Sequence, residues 1–262
     1  MDNHPIGIFD SGVGGTSIWK EINALLPNED TIYLADSRHA PYGEKPTKEI
    51  VRLSIKNTEL LLAKGCKLIV VACNTATTNA IDYLRKSYNI PFIGIEPAIK
   101  PAALQSQSKT VGVLATKGTL SSSLFHSTTV SHANGIKIIE QVGKGLVPLI
   151  EAGKINSPET KSLLVTYLKP MLDAGIDFLV LGCTHYPYLI PVLEDMLPTN
   201  VKIIDSGEAV ARQTKAVLSK SGLLTSSNEK GKHQFITNAD LRILESFLGD
   251  YSTSIKTDYQ DF

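Results

Sequence analysis

The sequence is poor in most of the features that announce a function at first sight. It has no excess charge: 26 Lys and Arg balance 26 Asp and Glu among 262 residues, for a formal net charge of zero. A nucleic-acid surface normally shows as a basic surplus, so no nucleic-acid partner is expected. It has three cysteines, an odd and small number that builds no disulfide framework and suits a reducing compartment. No C-x-x-C pair or His/Cys cluster is present, so no metal is expected. No phosphate-loop signature occurs. The one glycine-rich stretch, Ser11 to Gly15, lacks the spacing of a dinucleotide fingerprint and reads as a tight anion-binding turn. The apolar runs are strand-length, well short of the ~20 residues that cross a bilayer. The opening MDNHPIGIFDSG lacks the basic segment and long apolar core of a signal peptide. A cytoplasmic protein with no membrane partner is expected.

What the chain does have is alternation. Hydrophobic residues make up 42% and charged residues 20%, ordinary for a globular protein. Short apolar runs at 5–9, 31–35, 67–72 and 91–95 read as strands. Between them, 16–26, 47–64 and 76–87 read as helices, and 36–46 reads as a loop rich in Pro, Gly and charge. The pattern then restarts, with strands at 110–115, 136–140, 177–182 and 201–204. Its helices fall at 120–130, 157–174, 189–196 and 206–219, with Ser157 as N-cap and Pro158 at the first position of the second. A polar connection at 221–232 leads to a strand at 234–237, a helix at 239–248 and a strand at 252–256. Strands alternating with helices of this length imply βαβ units and a mainly parallel sheet.

The restart is a repeat. AKGCKLIVVACNTAT and DAGIDFLVLGCTHYP each run from a glycine through a strand to a cysteine. Gly65 lies eight positions before Cys73, and Gly175 eight before Cys183. The expected fold is therefore α/β: two similar doubly wound, mainly parallel lobes related by pseudo-twofold symmetry, with the active site in the cleft between them. The expected division is 1–97 plus 208–262 for one lobe and 98–207 for the other.

Each cysteine falls at the carboxyl end of a strand, facing a helix start, which is the ligand crevice of an open α/β sheet. A lone Cys there is more often a small buried hydrophobe than a reactive group. The echo of Cys73 at Cys183 reverses that weighing. Inverting a stereocentre by proton transfer needs a base on one face and an acid on the other, and a thiolate with a thiol supplies that pair. Asp10, at the end of the first strand, can serve Cys73, or can simply cap the turn that follows. His185 can serve Cys183, or be an ordinary loop histidine; either residue can instead hold a substrate ammonium or carboxylate. Ser11, Tyr42, Gly43, Asn74, Thr75, Thr116, Thr119 and Thr184 fall at strand ends or in connecting loops, where they offer hydroxyl, amide and backbone donors to carboxylates. Cys66 precedes its strand, at the far end from the crevice, and reads as structural.

The stretches IGIFDSGVGGTSIWKEI, YLADSRHAPYGEK, VVACNTATT, IGIEPAIKPA, VGVLATKGT, LVPLIEAG and LVLGCTHYP run in this order across 6–213. Together they resemble the glutamate racemase family of the aspartate/glutamate racemase superfamily. The resemblance implies cofactor-independent interconversion of L- and D-glutamate, supplying D-glutamate for peptidoglycan, in an enzyme expected to be a homodimer. It implies Cys73 and Cys183 as the proton donor and acceptor, the first acting on D-glutamate and the second on L-glutamate. Asp10, Glu151 and His185 are implied as assisting residues, with Asp10-Ser11, Tyr42-Gly43, Asn74-Thr75 and Thr184-His185 as substrate contacts. Two stretches depart from the family pattern: LFHSTT follows GTLSSS where many relatives carry a tyrosine, and EQVGKGL lacks a cysteine often found just before LVPL. Three other readings stand beside this one. An aspartate racemase would share both thiols. A two-lobed amino-acid-binding protein would need neither. A cysteine hydrolase would use Cys183 with His185 and leave Cys73 unexplained.

Overall fold

The structure, a computed structural model, describes residues 2–132 and 135–262. The first run of elements is β1 (Ile6–Asp10), α1 (Thr16–Leu25), β2 (Thr31–Ala35), α2 (Thr47–Ala63), β3 (Leu68–Val71), α3 (Asn74–Ser87) and β4 (Phe92–Gly94). The second is α4 (Ile99–Gln105), β5 (Thr110–Ala115), α5 (Lys117–Leu120), α6 (Ser123–His132), β6 (Lys137–Val142), α7 (Leu146–Glu151), α8 (Pro158–Asp173), β7 (Phe178–Gly182), α9 (Ile190–Met196) and β8 (Lys202–Ile204). The chain then adds α10 (Gly207–Lys220), β9 (His233–Thr237), α11 (Leu241–Leu248) and β10 (Lys256–Tyr259). Among the described residues no helix is long and apolar enough to cross a membrane.

The strands form two sheets, in the orders β10-β9-β2-β1-β3-β4 and β6-β5-β7-β8, and every pairing is parallel. The stretch β2-β1-β3-β4 has the order of the whole second sheet, so the repeat in the sequence is a repeat of topology. Parallel strands are covered by helices on both faces, and the side chains alternate accordingly. On β1 and β3, Ile6, Ile8, Leu68 and Val70 face a core with α1 and α10, while Phe9, Ile69 and Val71 face a second core with α2 and α3. Val111, Val113, Phe178 and Val180 of the second sheet pack under α4 and α6.

The matched glycines have a physical reason. Gly65 and Gly175 adopt φ of +78° and +74° just past the ends of α2 and α8. After α2, the Gly65 N–H bonds Leu62 O and the Cys66 N–H bonds Leu61 O; after α8, the Gly175 N–H bonds Leu172 O and the Ile176 N–H bonds Met171 O. Both are Schellman stops, which need a left-handed residue and close with an apolar contact. They turn the chain from helix into strand at the same distance before each cysteine.

Several boundaries differ from the sequence expectation. The helix expected at 120–130 is two pieces, α5 and α6, because Ser122 interrupts it and its Oγ caps the Phe125 N–H. Helices α4 and α7 fall where the sequence pattern predicts no element. The last strand falls at Lys256–Tyr259, since Gly249–Thr253 forms a 3-10 turn where extended chain was expected. The strand expected from 177 starts at Phe178, because the Asp177 carboxylate is taken by the N–H groups of Gln107 and Ser108. The chain passes between the sheets twice, after β4 and after β8. The two passages touch, with the Ser206 hydroxyl donating to the Glu96 carbonyl.

Candidate active site

Register sets the site. Phe9 pairs with Val71 across β1 and β3, and the Ala72 N–H bonds Phe9 O at 2.8 Å. Asp10 and Cys73 therefore leave their strands side by side. In the second sheet Ala115 pairs with Gly182, which brings Thr116 beside Cys183. One small cleft is walled by both cysteines together with Ser11, Tyr42, Gly43, Asn74, Thr75, Thr116, Thr184 and His185. Pro41 and Val147, not singled out from sequence, complete it. Its free volume is about 10 Å³, about the room of a single water molecule.

The two thiols sit in different surroundings. Cys73 is the N-cap of α3, and its Sγ accepts the Ala76 N–H at 3.4 Å. Burial pushes its pKa well above the usual thiol value; the negative charge of Asp10 adds to this, against the help of the Ala76 N–H. The thiol of Cys73 is therefore protonated at neutral pH. Cys183 has a histidine instead: its Sγ lies 3.8 Å from His185 Nδ1. The far side of that ring, Nε2, meets Glu151 Oε1 at 2.5 Å. Burial alone would lower the pKa of His185, but its bonds to Cys183 and Glu151 outweigh this and hold it well above the usual histidine value. His185 is thus an imidazolium with one N–H on a carboxylate and the other facing the Cys183 sulfur.

Glu151 is anchored from the opposite sheet. Its Oε1 accepts the Val13 N–H at 2.8 Å, and its Oε2 accepts the Ser37 hydroxyl at 3.0 Å. The glycines of Ser11–Gly15 leave room for this. A Cβ on Gly12 would lie 1.9 Å from Glu151 Oε1, and one on Gly14 2.3 Å from His185 Nδ1. The turn expected to bind an anion does receive a carboxylate, but it is the protein's own.

Asp10 is fully buried and does not line the cleft. Its Oδ2 accepts the Gly15 and Gly12 N–H groups at 2.9 and 3.3 Å, and its Oδ1 accepts the Thr184 hydroxyl at 3.3 Å. The capping arrangement is therefore present, and the same carboxylate lies close enough to Cys73 to raise its pKa. Burial raises the pKa of Asp10 itself, opposed by the charge of His185. Thr119 also lies behind the cleft wall, with its hydroxyl 3.3 Å from Thr75 Oγ1 and 3.1 Å from Thr116 Oγ1. Thr75 and Thr116, one from each sheet, meet at 2.7 Å.

Two more groups narrow the chemistry. Tyr42 donates its hydroxyl to the buried Asp36. Burial and that carboxylate push its pKa far up, so it serves as a fixed wall and not as a base. The Asn74 amide lines the cleft, and both its oxygen and its nitrogen are buried without a partner among the described residues. A buried amide left unpaired costs ~1–3 kcal/mol unless something else satisfies it. Cys66 lies elsewhere, against Gly7, with its pKa pushed up by burial to about 12. Among the described residues no three His, Cys, Asp or Glu side chains form a metal-binding group.

Two thiols on the walls of one cleft, set at equivalent strand ends of two like sheets, are what an enzyme inverting a stereocentre by proton transfer requires. The chain belongs to the Asp/Glu/Hydantoin racemase family of isomerases, whose family model matches residues 6–214. Within it, the chain is 46% identical over 240 residues to a glutamate racemase of Herpetosiphon aurantiacus, covering 92% of this chain and 94% of that protein. Its fold superposes on a glutamate racemase isoform of Bacillus anthracis with a TM-score of 0.88 at 29% identity, covering 100% and 99% of the two chains. It superposes on Escherichia coli glutamate racemase, solved with L-glutamate and the activator UDP-MurNAc-Ala, with a TM-score of 0.84 at 35% identity, covering 98% and 97%.

Proposed function

We propose that this protein interconverts L- and D-glutamate without a cofactor, by proton transfer between two thiols. The observation that carries the reading is the pairing of Cys73 and Cys183 across one cleft, each with its own means of managing a proton. In the D-to-L direction the Cys73 thiol first passes its proton to the carboxylate of Asp10; as thiolate it then removes the α-proton from one face, and the Cys183 thiol delivers one to the other. In the L-to-D direction the roles exchange. His185, held by Glu151, moves the proton balance of Cys183. Asp10 does the same for Cys73 by accepting its proton, since its burial raises its own pKa. The charge developing on the substrate carboxylate falls among Ser11, Asn74, Thr75 and Thr184, fixed donors that need no reorganisation, and the unpaired Asn74 amide gains a partner.

The substrate is larger than the free volume of the cleft, so the lobes, 1–97 plus 208–262 and 98–207, part to admit it. The likeness to glutamate racemases, one of them solved with L-glutamate, supports glutamate over aspartate. A cytoplasmic homodimer supplying D-glutamate for peptidoglycan completes the reading, and light scattering measures its subunit state directly.

The decisive experiment follows the α-proton. Pure protein in D2O, given L- or D-glutamate, should invert the substrate and place deuterium at the α-carbon. Cys73→Ala and Cys183→Ala should each cost at least about a thousand-fold in racemisation with an unchanged circular dichroism spectrum. Full activity in either variant, or binding of glutamate with no deuterium wash-in, refutes the mechanism. Faster turnover of L-aspartate than of L-glutamate refutes the substrate.

A further inference from the structure

The cleft between the thiols adjoins a larger cavity of about 440 Å³, within the range of small-molecule sites. Pro41, Gly43, Thr116 and Val147 line both and form the threshold between them. The outer cavity is completed by Glu44 from one lobe and by Lys117, Lys144 and their neighbours from the other.

The charges of the two cavities differ. No Lys or Arg lines the inner cleft; its one cationic group, His185, is already paired with Glu151, and its other substrate contacts are neutral hydroxyls and an amide. The outer cavity has two lysines, Lys117 and Lys144, both exposed. Neither makes an ion pair among the described residues. Glu44, also exposed, is the one opposing charge on its wall. The chain as a whole is neutral, so attraction for an anion has to come from a local field of this kind.

We propose that the outer cavity is the vestibule through which an anionic amino acid reaches the thiols, and that Lys117 and Lys144 capture it there by its carboxylates. The inference rests on the racemase reading and adds to it the residues that gather the substrate. An amino dicarboxylate carries a net charge of −1 at neutral pH. Two ammonium groups at the mouth raise its local concentration before the neutral donors of the inner cleft engage it. Their influence reaches about a Debye length, ~8 Å at physiological salt and ~30 Å at 0.01 M. The lysines therefore act on KM and leave the proton-transfer step to the thiols, while Glu44 weakens the capture.

The test measures kcat and KM for L-glutamate with the full-length protein at about 0.01 M and about 0.3 M NaCl, a range over which the screening length falls several-fold. In Lys117→Gln/Lys144→Gln, KM at low salt should rise about five- to ten-fold, with kcat within about two-fold, and the salt dependence of kcat/KM should flatten. Glu44→Gln should shift KM the other way. Lys86→Gln/Lys161→Gln, which removes two exposed lysines elsewhere, should match the wild type. An unchanged KM and salt slope in the vestibule variant, or a loss carried by kcat, overturns the inference while leaving the racemase reading intact. A wild-type protein that does not racemise glutamate overturns both.

Discussion

The imidazolium of His185 and the carboxylate of Glu151 meet at 2.5 Å, although they come from separate elements of the chain and Glu151 is also tied to the opposite sheet through Val13 and Ser37. The pair gives the Cys183 wall a proton reservoir that the Cys73 wall lacks. Under the proposed mechanism the two half-reactions are therefore unequal in means.

That inequality makes Glu151→Gln informative. The amide keeps the shape and removes the charge that holds the proton on His185, so kcat/KM should fall by roughly ten- to a hundred-fold. The equilibrium constant between enantiomers is one, so the fall must be the same in both directions. The isotope effect need not be: with α-deuterated L-glutamate it should grow, because abstraction by Cys183 becomes slower, and with α-deuterated D-glutamate it should shrink. Equal isotope effects in both directions would place Glu151 outside the proton path.

The glycine turn makes a steric prediction. A methyl on Gly14 would sit 2.3 Å from His185 Nδ1, in a ring that is fully buried and bonded on both sides. Gly14→Ala should cost about 1–3 kcal/mol of stability through overpacking, read as a lowered urea midpoint. It should also abolish racemisation at temperatures where the variant remains folded. A fully active, fully stable Gly14→Ala protein would show that the ring can move freely.

The raised pKa of His185 also links stability to pH. The folded state holds this proton more tightly than the unfolded chain, where histidine titrates near ~6.5. Its contribution is complete below about that pH. It is lost as the pH rises through the higher folded value, because the unfolded state then binds fewer protons than the folded one. Urea midpoints should therefore fall between pH 6 and pH 8 in the wild-type protein, by at most about 2 kcal/mol in free energy. His185→Gln should show a flatter profile. Above this window the buried thiols of Cys66 and Cys73, whose pKa values are also raised, continue the decline in both proteins.

Much of this was legible in the chain because it depends on local periodicity. The β3 and β7 strands read as apolar runs, and Gly65 and Gly175 marked the helix stops that precede them. The equal spacing to Cys73 and Cys183 gave the duplication and brought both cysteines under suspicion together. Glu151 was different. It lies at the end of a six-residue helix, α7, that has no cap signature. Its partners Val13, Ser37 and His185 are remote in sequence, so only resemblance to a family drew attention to it. The glycine-rich turn reads from sequence as an anion-binding turn, and the anion it receives is Glu151; the room that Gly12 and Gly14 leave for Glu151 and His185 is set by contacts remote in sequence. The sequence leaves Asp10 three roles, helper of Cys73, cap of the turn or holder of a substrate charge; in the structure its oxygens accept from Gly12 and Gly15 of the turn and from Thr184. The last strand and the helix break at Ser122 depend on 3-10 turns and a side-chain cap, which periodicity does not encode.

The two passages of chain between the sheets have a mechanical consequence. They are bonded to each other through Ser206 and Glu96, so bending at one would carry the other with it. Any parting of the halves is then a swing about that pair; a slide would break the bond between the passages. A swinging jaw returns its teeth to the same bite at every closure. Under the proposed mechanism, thiols carried on opposite jaws would thus meet each substrate at one repeatable separation, independent of how far the mouth had opened.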